Sequence, residues 1–273
     1  MIALRRHAVL TALFLLAVVM LVPFAFVLMN AVKSPAEYSS GGPLELPHSI
    51  NLDALKTFWE RVNFGEKLWN SALIAGSVAF FAVVLSVLNA YAFGIGRVKG
   101  RTWILAVFLL ANTLPQEQLV YPLYYGAKWL GIYDTKLSVI IILTVIQAAF
   151  GTYLLSAVFG TFPRSLIEAA QLDGASRWKI LWRVVVPISR PTLTVLMIFF
   201  FIWTWNEFFL PLIFLISNDN QTVPVALATT AGDKYMDATM QSAASLLGVL
   251  PAIVFFLLFQ RTLTRGITVG AIK

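Results

Sequence analysis

Six predominantly apolar stretches alternate with polar intervals along the chain, over residues 8–29, 70–94, 102–125, 137–159, 192–216 and 239–259. Each approaches or exceeds the roughly 20 residues a helix needs to cross a bilayer, so the pattern predicts an all-α integral membrane protein with six transmembrane helices. The first stretch follows Arg5 and Arg6. It is longer than a signal-peptide core, and no clear small-residue cleavage site follows it, so it reads as an uncleaved anchor. The third is interrupted around Pro115 and ends among Tyr121, Tyr124, Tyr125 and Trp129, the composition of an interfacial aromatic belt. Between the first two stretches lies a polar loop punctuated by Pro35, Pro43 and Pro47, in which residues 52–61 could form a short surface helix. A second polar connector, residues 217–238, precedes the last stretch.

Composition agrees with this class. Of 273 residues, 59% are hydrophobic, and the mean hydropathy is +0.81, more apolar surface than a soluble domain of this length needs to bury. There is no cysteine, which excludes disulfides, thiolate metal sites and a cysteine nucleophile. The two histidines, His7 and His48, lie outside the apolar stretches, so neither a metal site nor histidine-based catalysis is expected.

The net charge of +7 would suit a nucleic-acid ligand, but its placement is topological. With both termini assigned to the cytoplasm, 13 of the 20 basic residues fall on cytoplasmic segments and cluster near span ends. Ten of the 13 acidic residues fall on outer ones. The positive-inside rule therefore sets the orientation, and no nucleic-acid partner is expected.

The polar interval over residues 163–191, PRSLIEAAQLDGASRWKILWRVVVPISRP, is built as a docking element. Ser165 and Glu168 have capping-box spacing just after Pro163, which predicts a helix start. Ala169, Ala170 and Gly174 are small enough to admit a partner's surface close to the backbone, and Asp173-Gly174 favours a sharp turn. Beyond it, Trp178, Leu181 and Val185 recur at helical spacing, and Pro187 and Pro191 close the segment. The residues alone leave helix capping and docking both open for Glu168.

This pattern resembles the EAA signature of ATP-binding-cassette importer permeases: Glu168-Ala169-Ala170, three further residues, then Gly174, with Pro187 beyond. Trp205-Asn206-Glu207, Pro211-Leu212 and the ending Gly270-Ala271-Ile272-Lys273 are similar to the carbohydrate branch, the smaller permease of maltose-like systems. The resemblance covers nearly the whole chain. It implies a type I ABC importer permease fold, with a coupling segment at 163–187 that transmits ATPase closure to the spans. It implies four kinds of partner: a second permease subunit, two ATPase subunits, an extracytoplasmic solute-binding protein and membrane lipid. ATP and magnesium would sit on the ATPase partner, with no cofactor on this chain. On this resemblance Glu168, Ala169, Ala170, Asp173, Gly174 and Trp178 dock the ATPase. The tail residues Gly270, Ala271, Ile272 and Lys273 contact the same partner, and the 217–238 loop probes the binding protein.

The absence of a G-x-x-x-x-G-K-[ST] loop agrees with a transporter subunit that hydrolyses nothing itself. Glu207 is an acidic residue in the fifth apolar stretch, where charge is costly. With Trp203, Trp205 and Asn206 it either borders a translocation path or fills a structural role. Asn89, Asn112, Gln116, Gln147 and Tyr153 are the other polar side chains within the spans, suited to sugar contact or to interhelical hydrogen bonds. The alternative class is an intramembrane enzyme such as a phospholipid-forming transferase. Asp173-Gly174 with Arg177 touches the acidic metal motif of such enzymes but fails on spacing, with no further aspartates to hold cations.

Overall fold

The computed structural model describes residues 2–96, 98–231 and 237–271, without the side chains of residues 2–5, 8, 230–231 and 261–271. All regular structure among them is helical. In order the helices are α1 (Ile2–Ala31), α2 (Pro35–Gly41), α3 (Asp53–Arg61), α4 (Phe64–Ala90), α5 (Arg101–Thr113), α6 (Gln116–Trp129) and α7 (Lys136–Gly160). They continue as α8 (Arg164–Leu172), α9 (Arg177–Ile180), α10 (Val186–Trp205), α11 (Phe209–Phe214), α12 (Val223–Ala231) and α13 (Ala238–Ala271). Five helical stretches are long and apolar enough to cross a membrane: Val9–Ala31, Phe64–Ile95, Lys136–Gly160, Arg177–Trp205 and Ala238–Gln260.

The expected third span, 102–125, is instead two helices. Pro115 lacks an N–H and pushes Leu114 into extended backbone (ψ 126°), so α5 stops at Thr113 and α6 restarts at Gln116. The expected fifth span is also redrawn. One helical run extends from Arg177 through the polar residues to Trp205; Pro187 follows directly on the π turn that joins α9 to α10, Pro191 lies inside α10, and both are carried within the run, as a membrane helix tolerates. The run ends well before the apolar stretch does, at a break after Trp205. The 217–238 connector is not all loop either, since it holds a single 3-10 turn (Asn218–Asn220) and α12.

Two π-helical turns interrupt the regular pattern: Tyr91–Ile95, which extends α4, and Leu181–Val185, which joins α9 to α10. Each inserts a residue and rotates the helix beyond it. The expected stripe is only partly formed: Leu181 and Val185 are buried, whereas Trp178, which precedes the second π turn, points outward and meets Trp182 edge-on at 5.7 Å.

The chain divides into two compact units, Met1–Gly65 with Ala226–Ile253, and Glu66–Val225 with Val254–Lys273. In the first, Ala31, Ala54 and Ala243 form a small core edged by Leu55 and Leu246. Its surface helix α3 falls where the sequence places it, burying Ala54 and Phe58. Ser34 caps α2 by accepting the Glu37 N–H at 3.2 Å. In the second unit, α4 and α7 pack along their lengths. Ile74 and Val78 meet Val139, Ile142 and Leu143 in one cluster, and Ala82, Val83, Val87 and Ala90 meet Ala148, Leu155 and Phe159 in the next. Small and hydroxyl side chains make the close approach possible. Ser86 Oγ donates to Ala148 O at 3.2 Å, Asn89 Nδ2 to Thr152 Oγ1 at 3.2 Å, and Gln147 Nε2 ties α7 to Thr204 Oγ1 of α10 at 2.8 Å. This is the packing chemistry of helices in lipid, where burial of apolar surface provides little drive.

Candidate functional site

The EAA-like segment forms a helix-turn-helix hung from the end of α7. Its start differs from the expected capping box. The helix opens two residues early, at Arg164, with Pro163 instead of Ser165 in the cap position and no side-chain cap. Ser165 therefore lies inside the first turn, where its hydroxyl has no cap geometry to adopt.

Its end is as the sequence predicts. Gly174 takes φ +72°, the Ala175 N–H reaches Ala170 O at 3.0 Å, and the Gly174 N–H reaches Gln171 O at 3.0 Å. These two bonds are the Schellman pair that satisfies the last carbonyls, with Ala170 and Ala175 supplying its hydrophobic contact. Two residues on, Ser176 Oγ accepts the Lys179 N–H at 3.3 Å and starts α9.

Helix α8 has two faces. Ile167 and Ala170 pack on the core that contains Phe159, Ile180 and Leu181. The opposite face leaves Glu168, Ala169 and Asp173 exposed, together with two apolar side chains that sequence reasoning misses, Leu166 (42% exposed) and Leu172 (89%). A signal exists for Leu172, which falls on the helix face opposite the 167/170 stripe, but not for Leu166, which is four residues before Ala170 and in phase with it. Trp178, 63% exposed, adds an aromatic to this end of the molecule. Beneath α8 lies a cavity of about 180 Å³ lined by Gly94, Phe159, Arg164, Ile167, Glu168 and Gln171. The π turn of α4 meets α7 there so closely that a Cβ on Gly94 would stand 2.7 Å from Phe159 Cβ. Of the sequence candidates, Glu168, Ala169, Asp173 and Gly174 are thus exposed on a segment seated at the joint between α4 and α7, whereas Ala170 turns inward to the core.

The second set of candidates is dispersed. Trp203 packs edge-on against Phe150 at 6.0 Å and lines a mainly apolar cavity of about 360 Å³, with Asn112 and Gln116 at the α5–α6 break. Trp205 stacks on Phe201 at 5.8 Å, and Asn206 returns its amide to Ile202 O at 2.7 Å. Glu207 lies in the break between α10 and α11, not in a spanning helix. Its Oε1 accepts the N–H groups of Phe209 (3.1 Å) and Leu210 (3.3 Å), which start α11. The carboxylate is the cap of that helix. Glu207→Ala is therefore expected to cost about 1 kcal/mol of stability, visible as a lower detergent-solubilised Tm. Glu207→Gln keeps an acceptor and is expected to fall between. A loss of uptake in Glu207→Gln at unchanged Tm would return this residue to the translocation path.

The loop after α11 is pinned at its base. The Asp134 carboxylate accepts both the Ser217 N–H (3.0 Å) and its hydroxyl, and Asn220 Nδ2 donates to Asp134 O at 2.6 Å. These bonds, the Ser217 hydroxyl foremost, hold the Asp134 carboxyl below the usual carboxylate range. The lowered folded value means the stabilisation is fully present above the unfolded pKa of about 3.9 and is lost as pH falls through the folded value. The Tm gap between the parent and Asp134→Ala is therefore expected to stay constant from pH 7 to about pH 5 and to narrow progressively as pH falls further. A gap that does not narrow on acidification would refute this. Of the tail, Gly270 and Ala271 end α13, while Ile272 and Lys273 lie outside the described residues, as do Gly232 and Lys234 of the 217–238 connector and Arg97.

The comparisons with known proteins decide the class. Residues 82–268 match the family model described as "binding-protein-dependent transport system inner membrane component". The chain belongs to this family. It is 33% identical over 265 residues to the inner membrane ABC transporter permease protein YcjP of Escherichia coli (strain K12), covering 96% of this chain and 94% of that one. It is 27% identical to the diacetylchitobiose uptake system permease protein NgcG of Streptomyces coelicolor, over 98% and 90% of the two chains. Its fold is that of a chain from a bacterial ABC transporter involved in the import of alginate, with a TM-score of 0.75 at 24% identity over 94% of this chain and 96% of that one. The family member is a multi-pass inner-membrane transport subunit, and ATP hydrolysis belongs to a partner. The transferase alternative falls with this membership. Among the described residues no three acidic, histidine or cysteine side chains gather to hold a metal.

Proposed function

We propose that this chain is the permease subunit of an ATP-driven, binding-protein-dependent sugar importer, and that α8 couples ATPase closure to the spans. The observation that carries the reading is the exposed face of α8, with Leu172 almost wholly uncovered beside Glu168, Ala169 and the Gly174 turn. Leu166, Leu172 and Trp178 all expose apolar surface on this one segment, which supports reading it as a partner-binding face. That the substrate is a carbohydrate is supported by relatives such as the diacetylchitobiose permease.

In this reading α5 and α6 cross together as one broken span, which makes six crossings with both termini cytoplasmic. Unwound backbone at membrane depth is tolerated only inside protein or beside water. The break at Leu114–Pro115, with Asn112, Gln116 and Trp203 around it, accordingly faces either the second permease or the sugar path. Two ATPase subunits bind ATP and magnesium, no cofactor binds this chain, and the tail from Gly270 to Lys273 reaches the ATPases.

The test is to purify the tagged chain from its native host in mild detergent and identify what accompanies it by mass spectrometry. A second permease, an ATPase with a phosphate-binding loop and a solute-binding protein are expected. Repeated recovery of the chain with no ATPase would overturn the proposal.

A further inference from the structure

The loop over 217–223 is fastened from two sides, by far more bonds than a connector requires. Besides the Asp134 contacts, the outer end of α4 supplies three side chains. Asn70, fully buried, donates both amide hydrogens to main-chain carbonyls, Asp219 O at 2.7 Å and Gln221 O at 2.9 Å. Those two acceptors fix the orientation of its amide, because the reverse would set three oxygens against one another. Lys67, also fully buried, ends on Asn218 O. Ser71 Oγ accepts the Val223 N–H at 2.9 Å, just where the chain leaves the loop.

The same two elements that hold this loop also form the joint under α8. Helix α4 runs from the clamp to Gly94, and α7 runs from beside Asp134 to Phe159 and Gly160. They are bonded between at Ser86–Ala148 and Asn89–Thr152. The stretch from Asn70 to Gly94 is roughly 36 Å long at the helical rise. We infer that Lys67, Asn70 and Asp134 are positioning residues that mount the 217–223 loop rigidly on the α4–α7 pair, so that docking of the solute-binding protein on this side is passed along those helices to α8. The inference rests on the importer reading and adds the route by which the two faces communicate. Two packed helices pinned at both ends move as one body, which is the physical requirement for such a route.

The experiment uses the whole complex in lipid nanodiscs and reads ATP hydrolysis with and without the co-purified solute-binding protein, added as isolated from the host. Asn70→Leu, close in volume but without donors, is expected to keep complex yield and basal hydrolysis while losing at least threefold of the stimulation. The chain has no cysteine, so the pair Asp134→Cys with Ser217→Cys can replace the lost bonds covalently. Reduced, this double variant should resemble Asn70→Leu; oxidised, it should regain stimulation. Full stimulation in Asn70→Leu overturns the inference, as does a parallel loss of basal and stimulated rates. Failure of the cross-linked pair to restore stimulation does the same. If the parent complex shows no stimulation or contains no ATPase, the importer reading itself fails.

Discussion

Replacing Gly174 by tryptophan is expected to leave the permease folded and inserted while cutting sugar uptake and coupled ATP hydrolysis at least tenfold. Two local facts separate the fold from the function here. Nothing lies within 4 Å of a Cβ built on Gly174, so the added ring has room within the chain. Its φ of +72° charges any L side chain roughly 1–2 kcal/mol of backbone strain, which lowers stability without abolishing the turn. What the indole cannot share is the space in front of the turn, next to Ala169, Leu172 and Asp173, which a closing partner would have to enter. Asn tolerates left-handed backbone, so Gly174→Asn separates strain from bulk and is expected to retain most uptake. Leu172→Asp attacks the same surface from the side. Burying a leucine contributes about 1.5–3 kcal/mol, and burying an unpaired carboxylate is opposed further. Since 1.4 kcal/mol is a factor of about ten, partner affinity should fall by ten- to a hundredfold or more. The readouts are uptake in cells and ATPase co-purification. Normal uptake by Gly174→Trp would remove α8 from the interface.

The reasons some of this was legible in sequence, and some not, are local. Gly174 and Asp173 announce a Schellman turn because no other residue type meets the backbone demand as well, and the structure builds that turn. Apolar runs locate membrane-crossing segments because lipid requires them. They do not locate helix ends, since the hydrogen-bond ladder of the Arg177–Trp205 run continues through charged residues that water solvates. Pro187 and Pro191 read as closing signals yet sit in a helix: one follows the π turn at Leu181–Val185, and both are tolerated inside the run.

The π turn at Leu181–Val185 was invisible, because a one-residue insertion leaves no compositional mark. Glu207 looked like a buried charge in search of a function, but just beyond it the chain starts a new helix whose free N–H groups it caps. Break and cap appear together only in three dimensions. Lys67 and Asn70 were unreadable for a related reason: their partners are main-chain carbonyls about 150 positions away, and a carbonyl has no sequence signature.

Gly94→Leu is expected to abolish assembly by forcing apart the α4–α7 joint. A Cβ at this position would meet Phe159 Cβ at 2.7 Å and the backbone of Phe159 and Gly160 at 3.1 Å. Two of those three neighbours are main chain, so relief requires the helices to part. Overpacking of this kind costs typically 1–3 kcal/mol, sometimes more, and separation here would also open the core around Ala90, Leu155 and Phe159. For a chain of this size each kcal/mol lowers Tm by roughly 2–4 °C. Gly94→Ala should therefore show a fall of several degrees with reduced uptake, and Gly94→Leu should yield no complex. Gly160 is the internal control. It lies at the same joint, but its added Cβ meets nothing within 4 Å, so Gly160→Ala is expected to match the parent in Tm and uptake. Equal behaviour of Gly94→Ala and Gly160→Ala would show that α4 and α7 are not in contact there. In that case a rigid path from the clamped loop to α8 would have no lower joint.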